Sequence, residues 1–294
     1  MKLGFIGLGN MGAYMAANLQ KQHELVVHDI RREAAKDHLA SGAKWAETPA
    51  ELARQSEVVL TSLPNPPIVE EVSLGAHGLI HGMTPGSVYI DLSSNSPKVI
   101  KQIAARLAEK GVQMLDAPVS GGTPGAKAGV LEVMVGGDKA TYERCMGILK
   151  LIGKSVHHCG PIGSGTQLKL INNIMSRVNA YNALECLLLA KKVGLDLKTA
   201  FEVIQGSSGD SFVFHQKFPR SVFTGNFEPG FALDLAYKDI DLGTEMAREA
   251  GVPMLLATMV QQKVLDAKNR GWGSRDWTTI VLPLEEALGV KLRF

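Results

Sequence analysis

In GSGTQLKLINNIMS, residues 163–176, one lysine stands among apolar residues with two asparagines just after it, a pattern suited to moving a proton at a bound oxygen. On a helix Lys169, Asn173 and Ser176 fall at i, i+4 and i+7, so an ammonium and a carboxamide can address the same atom. A free lysine titrates near about 10.4, too high for a base at neutral pH, and burial beside a second cation would bring it toward that range. Leu168, Leu170, Ile171, Ile174 and Met175 make most of the helix circumference apolar and offer such burial. The competing reading is a lysine that runs past apolar neighbours to water.

Two further groups bear chemistry. Ser120, Gly121 and Gly122 combine a hydroxyl with backbone N–H groups that small residues leave bare, a fit for carboxylate oxygens. An ordinary tight turn after a strand is the alternative, and Asp116 just upstream reads as structural. In GLGNMG, Gly7, Gly9 and Gly12 have the GxGxxG spacing, with Leu8, Asn10 and Met11 between them, directly after a strand pattern and before a helical one. That context points to a dinucleotide whose pyrophosphate lies at the helix N-terminus. Asp29, 22 residues after Gly7, can accept hydrogen bonds from both adenosine ribose hydroxyls. A 2′-phosphate there would meet a like charge at a cost of about 4 kcal/mol, which favours NAD. Arg31 and Arg32 immediately downstream keep NADP possible, unless they only begin a solvated helix.

Such residues need a scaffold. With 294 residues the chain exceeds a typical single core, so two domains are expected. Apolar residues at 45% and charged residues at 20% suit a globular enzyme and not a disordered chain. Net charge is +2 without a run of five like charges, so neither a nucleic acid nor an anionic membrane is an expected partner. Cys145, Cys159 and Cys186 form no CxxC pair, and His157 and His158 lack a carboxylate or cysteine at ligand spacing, so no metal site is expected. No apolar run is long enough to span a bilayer, and glycines break the N-terminal one too early for a signal peptide, so the cytoplasm is the expected location.

Strand patterns at 2–6, 24–29, 56–64, 87–94, 113–120 and 130–137 alternate with helical ones at 11–20, 31–40, 98–110 and 138–150. Alternation of this kind predicts an α/β fold with a mostly parallel sheet covered on both faces. From Thr166 helical patterns alone follow, at 166–192, 197–205, 231–250, 253–269 and 276–288, so the second domain is all-α. Gly and Pro in HHCGPIGSG, 157–165, place the boundary between domains at 1–162 and 163–294.

Four blocks in order carry a family resemblance. FIGLGNMGAYMAANL (5–19) resembles the N-terminal signature of the β-hydroxyacid dehydrogenases, which include 3-hydroxyisobutyrate dehydrogenase and tartronate semialdehyde reductase. DAPVSGG (116–122), GSGTQLKLINN (163–173) and LAYKDIDL (235–242) agree with it, so the likeness covers nearly the whole chain. It implies a doubly wound Rossmann domain, a long interdomain helix and an all-α domain, with the active site in the cleft between domains. It also implies NAD(P)-dependent interconversion of a small β-hydroxy acid and its semialdehyde, in a homodimer or homotetramer. By the same resemblance Ser120, Gly121 and Gly122 bind the substrate carboxylate, Lys169 is the acid/base and Asn173 orients the substrate. Lys238 reaches toward the cofactor, and Leu63, Pro64 and Ser94 line its groove.

Some readings stay open. Asp234, one helical turn before Lys238, offers a competing surface ion pair. In QGSSGDSF (205–212), Ser207, Ser208 and Asp210 are candidates for the substrate's far end, or plain loop residues. TSLPN (61–65) and GFALDLAYKDIDL (230–242) resemble members that reduce 2-formylglutarate, and SRDWTTI (274–280) is reminiscent of sulfolactaldehyde reductases. The intact SerGlyGly points to a carboxylate anchor over a sulfonate, which leaves tartronate, methylmalonate and succinate semialdehydes and glyoxylate open as alternative substrates. Imine reductases on this scaffold typically replace the lysine, so Lys169 argues against imine reduction. An NAD-binding sensor without turnover has no need of Ser120, Lys169 and Asn173 together.

Overall fold

The computed structural model describes residues 1–294, which divide into two compact units, Met1–Lys169 and Leu170–Phe294. The first unit is strand and helix in alternation. Its first half runs β1 (Lys2–Ile6), α1 (Gly12–Gln20), β2 (Glu24–His28), α2 (Lys36–Ala40), β3 (Lys44–Trp45), α3 (Pro49–Arg54), β4 (Val58–Thr61) and α4 (Pro66–Leu74). Then come β5 (Val88–Asp91), α5 (Pro97–Ala108), β6 (Gln113–Asp116), β7 (Val119–Ser120), α6 (Gly122–Ala128), β8 (Leu131–Gly137), α7 (Lys139–Leu149) and β9 (Gly153–Gly160).

All nine strands form one sheet in the order β3-β2-β1-β4-β5-β6-β8-β7, with β9 on β8. The run from β3 to β6 is parallel and has the doubly wound order of a dinucleotide-binding fold. Neighbouring residues of one strand feed opposite cores. Leu3, Phe5, Val58, Leu60, Val88 and Ile90 pack on one face, and Ile6, Val59 and Tyr89 on the other. Burial on both faces explains why these strands read as unbroken apolar runs.

Register puts a row of residues side by side at the carboxyl ends of the strands. His28, Ile6, Thr61, Asp91, Asp116 and Gly136 are successive cross-strand partners. Loops that leave the parallel strands at this edge therefore start level with one another, while antiparallel β8 runs past it to pair with β7.

Several elements differ from the sequence expectation. The strand expected over 113–120 breaks at Ala117 and Pro118, since a proline has no N–H to continue the ladder. The helix expected over 31–40 begins as a 3₁₀ turn at Arg32–Ala35. α3 and α4 were hidden behind prolines, which here occupy the first helical turn after the capping residues Thr48 and Asn65. β9 runs into the segment where the domain boundary was expected, because its mostly half-buried or exposed residues, two histidines among them, give no apolar run.

The second unit is helical. α8 (Ser164–Lys192) runs from the first unit into it and is followed by α9 (Leu197–Gln205), α10 (Leu233–Glu249), α11 (Leu255–Ala267) and α12 (Val281–Leu288). Ala180, Tyr181, Leu184, Leu187 and Leu188 of α8 recur at helical spacing in its core, against Phe214, Phe218, Val260, Val264 and Trp277. No helix is long and apolar enough to cross a membrane.

Candidate active site

The glycine turn is fastened to β2. Gly7 N–H donates to the His28 carbonyl at 3.0 Å, and Leu8 N–H donates to Asp29 Oδ2 at 2.8 Å. Asp29 Oδ1 accepts the Arg31 N–H at 2.9 Å, so this buried carboxylate holds two turns at once. Gly12 is needed by the protein itself, since a Cβ there would strike the Gly7 carbonyl where α1 packs on β1. Gly9 is different. No atom lies within 4 Å of where its Cβ would stand, so only something lying over the exposed turn would require glycine. α1 starts after Met11 without a side-chain cap, which leaves its N-terminal amides for an anion. Exposed Gly9 and Asn10, half-buried Met11 and the uncapped helix fit the diphosphate of a dinucleotide.

The two arginines part company. Arg32 pairs with Glu47 at 2.9 Å and lies over the Trp45 ring at 5.2 Å. Arg31 extends to solvent, 69% exposed, with its Nε 3.9 Å from Asp29 Oδ1. Of the pair, Arg31 is the one placed to meet a group bound at Asp29.

Asp91 organises the next two loops, and the sequence reading passed it over. Its Oδ1 accepts the Thr61 hydroxyl at 2.8 Å and the Ser93 N–H at 3.1 Å, and its Oδ2 accepts the Asn95 amide at 3.0 Å. Burial pushes its carboxyl up, and these bonds pull it back. Ser93 Oγ in turn accepts the Leu63 N–H at 2.9 Å. Leu63, exposed Pro64 and half-buried Ser94 thus stand on loops tied to one carboxylate. Its position at the end of SVYID was the available signal.

Ser120 ends β7, paired with Glu132 of β8, and the two glycines after it have φ of 132° and 64°. Only glycine holds Gly121 in that conformation at no steric cost. The turn expected here opens α6 at Gly122.

On α8, Lys169 and Asn173 are both buried, 8% and 6% exposed. Asn173 Nδ2 donates to Asp239 Oδ2 of α10 at 2.7 Å, while its Oδ1 accepts from Asn172 at 3.2 Å. The Lys238 ammonium stands 3.2 Å from Asp239 Oδ1, close enough for an ion pair. Asp234, the competing partner foreseen for Lys238, stands 3.2 Å from the Lys268 ammonium. Asn173 and Lys238 therefore converge on one buried carboxylate 66 residues from the asparagine. The block LAYKDIDL contained it, but only its lysine was weighed.

Arg177, one turn beyond Asn173, was also missed. Its guanidinium stacks on Trp277 at 4.1 Å and faces Phe231 at 5.3 Å. Burial pushes it down to about 10, against the pull of Asp239 and Asp276. Lys169, Asn173 and Arg177 thus form a buried polar stripe along α8.

Other candidates lie apart from these. Ser207 is exposed and donates its hydroxyl to the Val203 carbonyl at 2.6 Å. Ser208 and Asp210 line a cavity of about 370 Å³ with Asn179, Asn182 and Cys186 of α8. Asp210 Oδ2 is 2.7 Å from His215 Nδ1. His157, which has no carboxylate at ligand spacing in the sequence, stands 3.1 Å from Glu132 across β8 and β9, a neighbour that sequence spacing does not show.

Residues 2–160 match the family model described as the NAD binding domain of 6-phosphogluconate dehydrogenase. Residues 163–284 match the model described as NAD-binding of NADP-dependent 3-hydroxyisobutyrate dehydrogenase. The chain is similar to 2-(hydroxymethyl)glutarate dehydrogenase of Eubacterium barkeri, 38% identical over 99% of this chain and 97% of that one. To 3-sulfolactaldehyde reductase of Escherichia coli (strain K12) it is 33% identical over 98% and 97%. Among solved structures it resembles Mycobacterium tuberculosis 3-hydroxyisobutyrate dehydrogenase with L-serine, at a TM-score of 0.88 and 30% identity over 96% of this chain and 98% of that one.

Proposed function

The chain belongs to the NAD-binding β-hydroxyacid dehydrogenase family, NAD(P)-dependent oxidoreductases of small hydroxy acids and semialdehydes, and from there we propose how its own residues carry the reaction. Lys169 is the acid/base. It donates a proton to the developing alkoxide in reduction and takes the hydroxyl proton in oxidation. Asn173, its carboxamide fixed by Asp239, orients the same substrate oxygen. Ser120 with the backbone of Gly121 and Gly122 holds the substrate carboxylate. The turn from Gly7 to Gly12 cradles the diphosphate, Asp29 and Arg31 address the adenosine ribose, and Leu63, Pro64, Ser94 and Lys238 flank the rest. A nicotinamide cofactor, when bound, accepts or supplies the hydride.

The observation that carries this reading is the burial of a lysine and an asparagine one turn apart on α8, with the asparagine anchored to a buried carboxylate. A surface lysine that merely solvates a helix would not be 8% exposed.

For the substrate we infer an aldehyde that bears a carboxylate, because SerGlyGly offers a hydroxyl and amides and no added cation for a sulfonate. Similarity to the Eubacterium barkeri enzyme favours a branched dicarboxylate of the 2-formylglutarate kind among such aldehydes. The test is a screen of purified protein against 2-formylglutarate, sulfolactaldehyde, glyoxylate, and tartronate, methylmalonate and succinate semialdehydes, each with NADH and with NADPH. Turnover of a carboxylate-bearing aldehyde is expected, faster with NADH. Tight NADH binding with no turnover of any of them would instead favour a cofactor-binding protein without this chemistry.

A further inference from the structure

Lys169 lies in the second turn of α8, and the first turn of that helix rests on a single buried carboxylate. Asp116, the last residue of β6, is fully buried; its Oδ1 accepts the Gly163 N–H at 2.7 Å and its Oδ2 the Thr166 N–H at 2.6 Å. Thr166 precedes Lys169 by three residues, so the clamped amide lies almost one helical turn beneath the lysine. Glycines permit the approach. A Cβ on Gly136, the cross-strand partner of Asp116, would strike Asp116 Oδ1 and stand 2.8 Å from the backbone nitrogens of Ser164 and Gly165. A Cβ on Gly165 would strike the Met134 carbonyl.

A local serine or aspartate at the helix start would cap these amides equally well. The carboxylate used here comes from 47 and 50 residues away, so it fastens the helix to the sheet as well as capping it. Both oxygens are engaged, which fixes the helix end in rotation as well as height. We propose that Asp116 is a positioning residue for the reaction, setting the reach and angle of Lys169 through the first turn of α8. The inference rests on the reading of Lys169 as proton carrier.

Asp116→Asn keeps the shape but turns one acceptor into an amide facing an N–H. Its kcat is expected to fall about ten- to a hundredfold, the effect of a displacement near 1 Å at a reacting group. Substrate KM and NADH Kd should stay within about twofold, and in a Lys169→Ala background the same change should cost less than about twofold in single-turnover hydride transfer. Gly136→Ala displaces the helix end with the carboxylate intact and is expected to give the same split, so the test survives a poorly folding asparagine variant. Normal kcat in both variants, or a loss that persists in full without Lys169, overturns the inference. Lys169→Ala is read first and alone: near-normal turnover there overturns the functional reading and this inference with it. A deeply impaired Lys169→Ala beside unimpaired Asp116→Asn and Gly136→Ala overturns this inference only.

Discussion

At the scale of residues, buried charge is concentrated where chemistry is proposed, and each charge has a placed neighbour. Asp239 answers Asn173 and Lys238, while Asp91 gathers the hydroxyl and amides of two loops. Asp116 is the costly one. Burial is the main cause that raises its carboxyl from 3.8 to about 6, outweighing the bonds from Thr166 and Gly163. A carboxyl raised on folding binds its proton more tightly in the folded state, so its stabilising share is complete below about pH 4 and is lost as pH rises through about 6. Between pH 7.5 and 4.5 the wild type should therefore gain on Asp116→Asn by roughly 2 kcal/mol, a few degrees in melting temperature. Parallel melting curves for the two proteins across that range would contradict it. That Lys169 and Asn173 share one helix face was legible from their spacing, and both are buried there, while the roles proposed for them came with the family blocks. Their partner Asp239 was not legible, because a contact across 66 residues leaves no periodicity to read.

Among the elements, the strand ends do the positioning. Register aligns Thr61, Asp91 and Asp116, and each neighbouring loop is fastened there before it reaches a candidate residue. The parallel core strands and long helices were legible because burial imposes period and composition on them. Short elements were not: β9 is half-exposed and polar, and α3 and α4, which had no counterpart in the expected elements, open with prolines. The glycine turn yields a contrast that separates ligand from fold. Gly12→Ala should destabilise the protein by about 1–3 kcal/mol through overpacking against Gly7. Gly9→Ala meets open space and should leave the melting temperature unchanged while weakening NADH binding at least roughly tenfold. Unaltered NADH affinity in Gly9→Ala, by fluorescence titration, would mean that no cofactor lies against that residue.

For the molecule as a whole, α8 carries residues of both the dinucleotide fold and the helical unit, and Lys169, the proposed proton carrier, is the last residue of the first. The helical unit exposes Leu189, Val193, Leu195, Leu255 and Leu256, each more than half accessible. We propose that copies of the chain pair through such surface, as a dimer or tetramer. Sedimentation velocity at micromolar concentration should give at least twice the mass of one chain; a monomer would contradict it.

The central claim is that Lys169 moves the proton. Its most direct test is the single-turnover rate of hydride transfer in Lys169→Ala, saturated with NADH and with the best aldehyde from the screen. A fall of roughly 10²–10⁴-fold with NADH affinity preserved is predicted, and a rate near that of the wild type would contradict the account.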